Sequence, residues 1–287
     1  MNEVKVGIIG IGNMGSAHLR MITGGNIPDM TVTAVCDIDT EKLNAARNTY
    51  PALRVFEDYT DLLKNSDTNA VIIAVQHPVH AKIAIEAFEY GKHVLVEKPI
   101  DITVSAAEKL CAAARKSGKV FAVMFNQRTN GLFREARRIV NSGELGELKR
   151  SVWIITNWYR TQSYYDSGSW RATWRGEGGG VLLNQAPHNL DIWQWICGMP
   201  SAVTAFCNAG KFHNIEVEDE ATIYAEYKNG ATGVFITSTG DCPGTNRLEI
   251  TGTRGKTVLE NGILKLWKLN EDERDICKNA TEGFVSP

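Results

Sequence analysis

The sequence predicts an α/β chain with a doubly wound parallel sheet in its first half. The second half reads as an α+β domain with a predominantly antiparallel sheet. Three observations carry this. Up to Met124, apolar runs of strand length alternate with helical segments, the pattern of parallel strands joined by crossover helices. After Ala202, short strands follow one another directly, separated by the hairpin-type pairs Asn229-Gly230, Arg254-Gly255 and Asn261-Gly262. Gly10, Gly12 and Gly15 stand at G-x-G-x-x-G spacing between the first apolar run and the first helix.

The first half reads in order. Val4 to Ile9 is a strand, and a helix follows the glycines to about Met21. Thr31 to Cys36 is the second strand and ends at Asp37. Thr40 to Asn48 is a helix, Leu53 to Phe56 a strand, and Tyr59 to Lys64 a short helix. Ala70 to Val75 is continuously apolar, as the middle of a parallel sheet requires. Pro78 opens a helix with Ile83, Ala84, Ala87 and Phe88 on one face, and Gly91 stops it. His93 to Val96 is a strand. The next helix carries Val104, Ala107, Leu110, Cys111 and Ala114 on one stripe, ends at Gly118, and leads into a strand from Val120 to Met124. No linker marks the boundary, and the domains are placed at 1–124 and 125–287.

In the second half, Gly131 to Asn141 is a helix and Leu148 to Trp158 a long strand. Arg160 to Gly180 is irregular, and Pro187 opens a helix reaching Cys197. Strands follow over Ala202–Asn208, Ala221–Tyr227, Ala231–Thr237, Arg247–Gly252, Thr257–Glu260 and Leu264–Lys268. Ala221, Ile223, Ala225 and Tyr227 alternate with Thr222, Tyr224 and Glu226, giving one buried and one more polar face. The end, Asn270 to Pro287, is polar and poorly patterned.

Composition excludes several classes. The chain has 287 residues, a net charge of −2 and no block of like charge, which argues against nucleic-acid or anionic-membrane binding. No apolar run reaches the length of a membrane span, and no signal peptide opens the chain. The six cysteines are scattered, without C-x-x-C or zinc spacing. They read as reduced thiols of a cytoplasmic protein, and no metal is expected.

The glycine spacing has a chemical reason. The first glycine permits the tight turn, the second lets backbone touch a pyrophosphate, and the third lets the helix pack close with its N–H groups aimed at the anion. Asp37 lies 22 residues beyond Gly15, where an acid meets ribose hydroxyls. No arginine follows it within Ile38 to Lys42, which favours NAD over NADP. Glu97-Lys98-Pro99 follows a strand of the same domain. In isolation it reads as a solvated ion pair before a proline. At the carboxyl end of a strand it lies where ligands of open α/β sheets bind, and a lysine there can stabilise a developing alkoxide. His188 starts a helix after Gly178-Gly179-Gly180. The helix dipole disfavours imidazolium there, which suits a general base, the alternative being a capping histidine. Asn184 and Asp191 flank it at i−4 and i+3.

Taken together, G-I-G-N-M-G, V-L-V-E-K-P and G-G-G-V-L-L-N-Q-A-P-H-N-L-D resemble the Gfo/Idh/MocA oxidoreductase family over essentially the whole chain. The resemblance implies a Rossmann domain and an open-faced, predominantly antiparallel sheet domain, with NAD or NADP and a sugar, cyclitol or other polyol substrate. It makes Lys98 and His188 the catalytic pair. Asn184 stands where many members carry aspartate, so it would bind a substrate hydroxyl without relaying a proton. Gln76-His77-Pro78-Val79-His80 matches the loop that lies along the cofactor, with His80 alternatively a helix cap. The cofactor set is then Gly10, Gly12, Asn13, Met14, Asp37, Val75, His77, His80, Glu97 and Lys98. Asn126 and Arg128 match a frequent segment at the domain junction, where a substrate pocket is expected.

Eight aromatics and arginines crowd into 158–174. Of these, Tyr159, Arg160, Trp170 and Arg171 are assigned to substrate, because aromatic faces stack on sugars and arginine holds hydroxyls or carboxylates, while an interface or core edge is the plainer alternative. Trp193 and Trp195 read as helix core. The resemblance further implies a homodimer or homotetramer through the C-terminal sheet. The chain ends some tens of residues before the family's usual length, so the helix that packs back on the cofactor domain is expected to be missing. Two other functions fit the same residues: a redox-neutral cycle that cleaves a glycoside with tightly bound NAD, and a non-catalytic nucleotide or sugar sensor.

Overall fold

The computed structural model describes residues 3–283, which form two compact units. Of these, the first comprises residues 3–124 with Gly176–Gly178, and the second Phe125–Arg175 with residues 179–283.

In the first unit six strands make one parallel sheet: β1 (Val4–Ile9), β2 (Met30–Cys36), β3 (Arg54–Phe56), β4 (Ala70–Ile73), β5 (His93–Val96) and β6 (Phe121–Val123), in the order β3-β2-β1-β4-β5-β6. Between them run α1 (Asn13–Thr23), α2 (Thr40–Thr49), α3 (Tyr59–Asn65), α4 (His80–Glu89) and α5 (Val104–Ser117). Side chains of Asp39, Asp58 and Thr103 accept first-turn N–H groups of α2, α3 and α5, and left-handed Gly118 ends α5. Apolar stripes such as Gly15, Leu19 and Ile22 on α1, and Ile83, Ala84, Ala87 and Phe88 on α4, bury against the sheet. Strand order reverses between β1 and β4, and such a switch point opens a crevice beyond the strands' carboxyl ends. Two details differ from expectation. Val104 is exposed, because it is the first residue of α5, just after the cap. Pro78 lies in a 3-10 turn, His77–Val79, that precedes α4.

The second unit holds α6 (Gly131–Asn141), β7 (Leu148–Ile155), α7 (Gln162–Asp166), α8 (Pro187–Cys197), β8 (Ala202–Ala209), β9 (Glu218–Glu226), β10 (Thr232–Ser238), β11 (Asn246–Gly252), β12 (Gly255–Glu260), β13 (Ile263–Lys268) and α9 (Glu273–Asn279). Its seven-stranded sheet has the order β13-β12-β11-β7-β10-β9-β8 and is antiparallel except where β7 meets β10. One face carries Trp153 and Phe235, both fully buried. Trp193 of α8 stacks on Phe235 at 5.5 Å and donates its indole N–H to Ser151 Oγ at 2.9 Å.

The polar tail is more ordered than its pattern predicts. Asp272 caps α9 and accepts from Thr253 Oγ1, while Arg274 and Glu273 pair with Glu147 and Lys149. Helix α9 buries no residue, so polar contacts rather than an apolar stripe hold it, and no periodicity announced it. Residues 284–287 of that predicted tail lie outside the described residues. No described helix is long and apolar enough to cross a membrane.

Candidate active site

The three loop glycines behave differently. A Cβ on Gly10, whose φ is +88, would stand 2.5 Å from the Ala74 carbonyl oxygen, and one on Gly15 only 1.8 Å from the Gly10 carbonyl oxygen. These two glycines let β1, β4 and α1 close on one another. A Cβ on Gly12 would meet nothing within 4 Å. Gly12 is the N-cap of α1, and no side chain caps the first-turn amides that follow it at Asn13 and Met14. That arrangement fits a dinucleotide pyrophosphate.

Asp37 ends β2 nearby. One carboxylate oxygen accepts Ile11 N–H at 2.8 Å and the other Asp39 N–H at 3.0 Å, which locks the glycine loop to the strand end. Each oxygen keeps a lone pair for a ribose hydroxyl. Lys42 Nζ is 3.9 Å from Asp37 and 3.2 Å from Asp39.

Glu97, which follows β5, is buried. Its Oε1 accepts from His18 Nε2 at 2.8 Å and its Oε2 from Lys98 N–H at 3.3 Å. His18 therefore ties the helix behind the glycine loop to the Glu97-Lys98 segment, a link the sequence reading missed. Its only signal is a histidine beside the buried stripe of α1. His77 is buried and donates from Nδ1 to the Glu177 carbonyl at 3.2 Å. Val75 is half-buried after β4, its Cγ1 2.8 Å from a Cβ placed on Gly10.

His80 requires a correction. It is fully buried, with Nδ1 2.7 Å from the Pro99 carbonyl and Nε2 3.0 Å from the Val75 carbonyl. A side chain so enclosed has no surface for a cofactor. It clamps the chain after β4 to the chain after Lys98, and burial pushes its pKa below the ordinary histidine value against the pull of those carbonyls.

In the second unit, His188 is half-buried in the first turn of α8, edge-on to Phe125 at 6.0 Å. The preceding glycines have a structural cause. Glu218 at the start of β9 accepts Gly180 N–H at 2.9 Å and Leu182 N–H at 3.1 Å through Oε1, and its carbonyl accepts Val181 N–H at 2.8 Å. The turn so held continues through Asn184 N–H to Gly180 O at 2.9 Å, and it delivers Asn184 and then His188. Glu218 was not anticipated, because only the fold brings β9 to this turn.

Arg128 is held within the second unit. Its Nε and Nη2 grip Asp191 at 2.8 and 2.6 Å, which raises its pKa, and it lies over Trp195 at 5.5 Å. It fixes the first turn of α8 through two of its three guanidinium nitrogens. Asn126 opens the 3-10 turn that carries Arg128. Trp193 is core as expected, and Trp195 packs partly buried against the same core while carrying Arg128 and Arg137 on its ring. Tyr159 is exposed. Trp158 donates to Asn189 Oδ1, beside His188, at 3.3 Å. Arg160, Trp170 and Arg171 gather with Tyr164 in one stacked group. No group of described residues could hold a metal ion.

Comparison with known proteins agrees with this anatomy. Residues 4–125 match the family model described as oxidoreductase family, NAD-binding Rossmann fold, and residues 133–258 match the GFO/IDH/MocA C-terminal domain. The chain is 29% identical to the uncharacterized oxidoreductase YrbE of Bacillus subtilis, over 90% of this chain and 74% of that protein. It is 34% identical to the inositol 2-dehydrogenase of Salmonella typhimurium, but over 50% of this chain and only 43% of that relative. The WlbA dehydrogenase of Chromobacterium violaceum, solved with NADH and UDP-GlcNAcA, superposes with a TM-score of 0.86 at 26% identity, covering 97% of this chain and 81% of that one. With an NAD-binding domain and a C-terminal domain both matched in order, the chain belongs to the Gfo/Idh/MocA family of oxidoreductases.

Proposed function

We propose that the chain is an NAD-dependent dehydrogenase acting on a hydroxyl carbon of a sugar, cyclitol or other polyol. The first unit serves as the cofactor domain and the second as the substrate and assembly domain. The observation that carries this reading is the contrast among the glycines: two sealed against backbone and one left open for a pyrophosphate. The inositol and sugar-nucleotide relatives support the substrate class.

NAD, when bound, supplies the hydride acceptor. Gly12 and the first-turn amides of α1 would hold its pyrophosphate, and Asp37 its ribose hydroxyls. His188 takes the proton of the reacting hydroxyl as general base. Lys98 orients that oxygen and stabilises the charge that develops on it. Asn184 holds a neighbouring hydroxyl, and its amide relays no proton. The test begins with a screen of sugars and cyclitols for NADH formation. On a substrate so found, His188→Ala and Lys98→Ala should retain NAD binding while turnover falls about 10²–10⁴-fold. Unchanged turnover in His188→Ala would remove that residue from the reaction. Glycoside cleavage without NADH would point to the redox-neutral cycle instead.

We also infer a homodimer or homotetramer assembled through the sheet of the second unit. Its face opposite Trp153 and Phe235 carries Val152, Ile154, Val234 and Ile236 on neighbouring strands, continued by Tyr224 and the exposed Phe206. An apolar row of this kind on an open sheet favours a covering partner. Light scattering at micromolar concentration tests it, and a monomer contradicts it. The six free cysteines support a cytoplasmic location.

A further inference from the structure

The second unit gathers cations that the chemistry proposed above leaves without a role. Two guanidinium groups lie over the ring of Tyr164, Arg160 at 5.0 Å and Arg171 at 4.5 Å, and Arg171 is also 4.6 Å from the ring of Trp170. Their hydrogen bonds go to neutral groups. Arg160 Nη1 donates to the carbonyls of Trp158 and Tyr159, and Arg171 donates to Ser167 Oγ and to the Tyr164 hydroxyl. Among the described residues neither arginine pairs with a carboxylate, whereas Arg128, Arg138, Arg247 and Arg274 all do.

The carboxylates of this region are engaged elsewhere. Asp219 accepts from the backbone N–H groups of Lys211, Phe212 and His213 and from the His213 ring. Glu216 accepts from Trp174 N–H, and Asp166 from the Gln162 amide. Two like charges on one ring repel each other, and stacking alone does not neutralise them.

The group is also held in place. His213 Nε2 donates to the Arg160 carbonyl at 2.9 Å. Tyr165 packs edge-on to Tyr164 at 5.1 Å and donates to Thr239 Oγ1 at 2.9 Å. Trp158, whose ring lies under Arg160, reaches Asn189 beside His188. Beside Arg171 opens a groove of about 600 Å³, lined also by Ser169, Thr173, Asn214, Asp166 and Glu216. Hydroxyl, amide and carboxylate groups suit a polyhydroxylated ring. A fixed guanidinium fork suits one anionic group on it.

We propose that Arg160 and Arg171, stacked on Tyr164, form an anion subsite, and that the substrate is a sugar carrying one anionic group, either carboxylate or phosphoryl. This rests on the dehydrogenase reading for the word substrate, but not for binding. The full chain loaded with NADH is titrated calorimetrically with neutral hexoses, the uronates of the same configuration, and the hexose phosphates. One anionic series should bind about tenfold or more tighter than its neutral counterpart, and whichever series does so identifies the group. Arg171→Ala should reduce that preference about tenfold. Arg171→Lys, which keeps the charge without the fork, should fall in between. Arg160→Ala provides a second variant, and melting curves check that each folds.

Equal binding of neutral and anionic sugars overturns the subsite. So does failure of both anionic series to bind, or an equal loss of neutral and anionic binding in Arg171→Ala. An anionic sugar that binds but is never oxidised overturns the dehydrogenase reading and leaves the subsite standing. Oxidation of neutral sugars without anion preference does the reverse.

Discussion

Gly180 lies so close to Glu218 that a Cβ added to it would stand 1.8 Å from the Glu218 carbonyl oxygen. Backbone cannot move aside there, because Gly180 N–H and Val181 N–H both bond to Glu218. Gly180→Ala should therefore cost at least about 3 kcal/mol, the upper part of the range for overpacking a closed site. Denaturant unfolding measures it, and a loss below about 1 kcal/mol would show that the turn yields.

Gly12→Ala should behave in the opposite way. Its φ of −68 suits alanine, and the added methyl meets nothing. Stability should fall by no more than about 1 kcal/mol, the size of an N-cap change. NAD affinity should fall about tenfold or more, because the methyl occupies the space through which backbone meets pyrophosphate. Fluorescence titration with NAD reads this directly, and unaltered affinity would place the pyrophosphate elsewhere.

These two glycines also mark how far the sequence could be read. The Gly10, Gly12 and Gly15 spacing was legible because its cause is local, one strand turning into one helix. The run ending at Gly180 was equally visible, yet its cause was hidden, since β9 is far away in sequence and packs against it only in the fold. The same holds for Arg128. It was placed with the substrate by its segment alone, whereas the fold brings it onto Asp191 of α8. Sequential alternation announced β9 and β10, while the parallel pairing of β7 with β10 depends on topology that no local pattern encodes. Helix α9 went unseen because nothing apolar holds it.

His80 gives the fold a pH dependence of known sign. Burial holds its folded pKa below about 6.5, the unfolded value. Below that value the unfolded chain binds a proton that the folded chain resists, so stability falls as pH drops from about 6.5 toward the folded pKa, and is unaffected above it. Melting temperature should decline over that acidic window in the parent. In His80→Asn the slope there should be smaller, whatever the absolute loss from the missing ring contacts with the Pro99 and Val75 carbonyls. An unchanged slope would mean that another group titrates.

The preference for NAD over NADP should reside in Asp37. A 2′-phosphate brought to its carboxylate would meet like charge, and at a few ångströms such repulsion is worth on the order of 1–4 kcal/mol near a protein surface. NADP should accordingly bind at least about tenfold more weakly than NAD at low salt, with the gap narrowing as salt rises. Asp37→Ser should narrow the gap further. It should also weaken NAD itself, because the same carboxylate holds Ile11 N–H and Asp39 N–H. Lys42 acts in the other direction. Its ammonium lies 3.9 Å from Asp37 and partly offsets the negative charge, so Lys42→Ala should widen the preference without touching the glycine loop. Equal affinities for NAD and NADP in the parent, or a gap indifferent to both substitutions, would take the discrimination away from the end of β2.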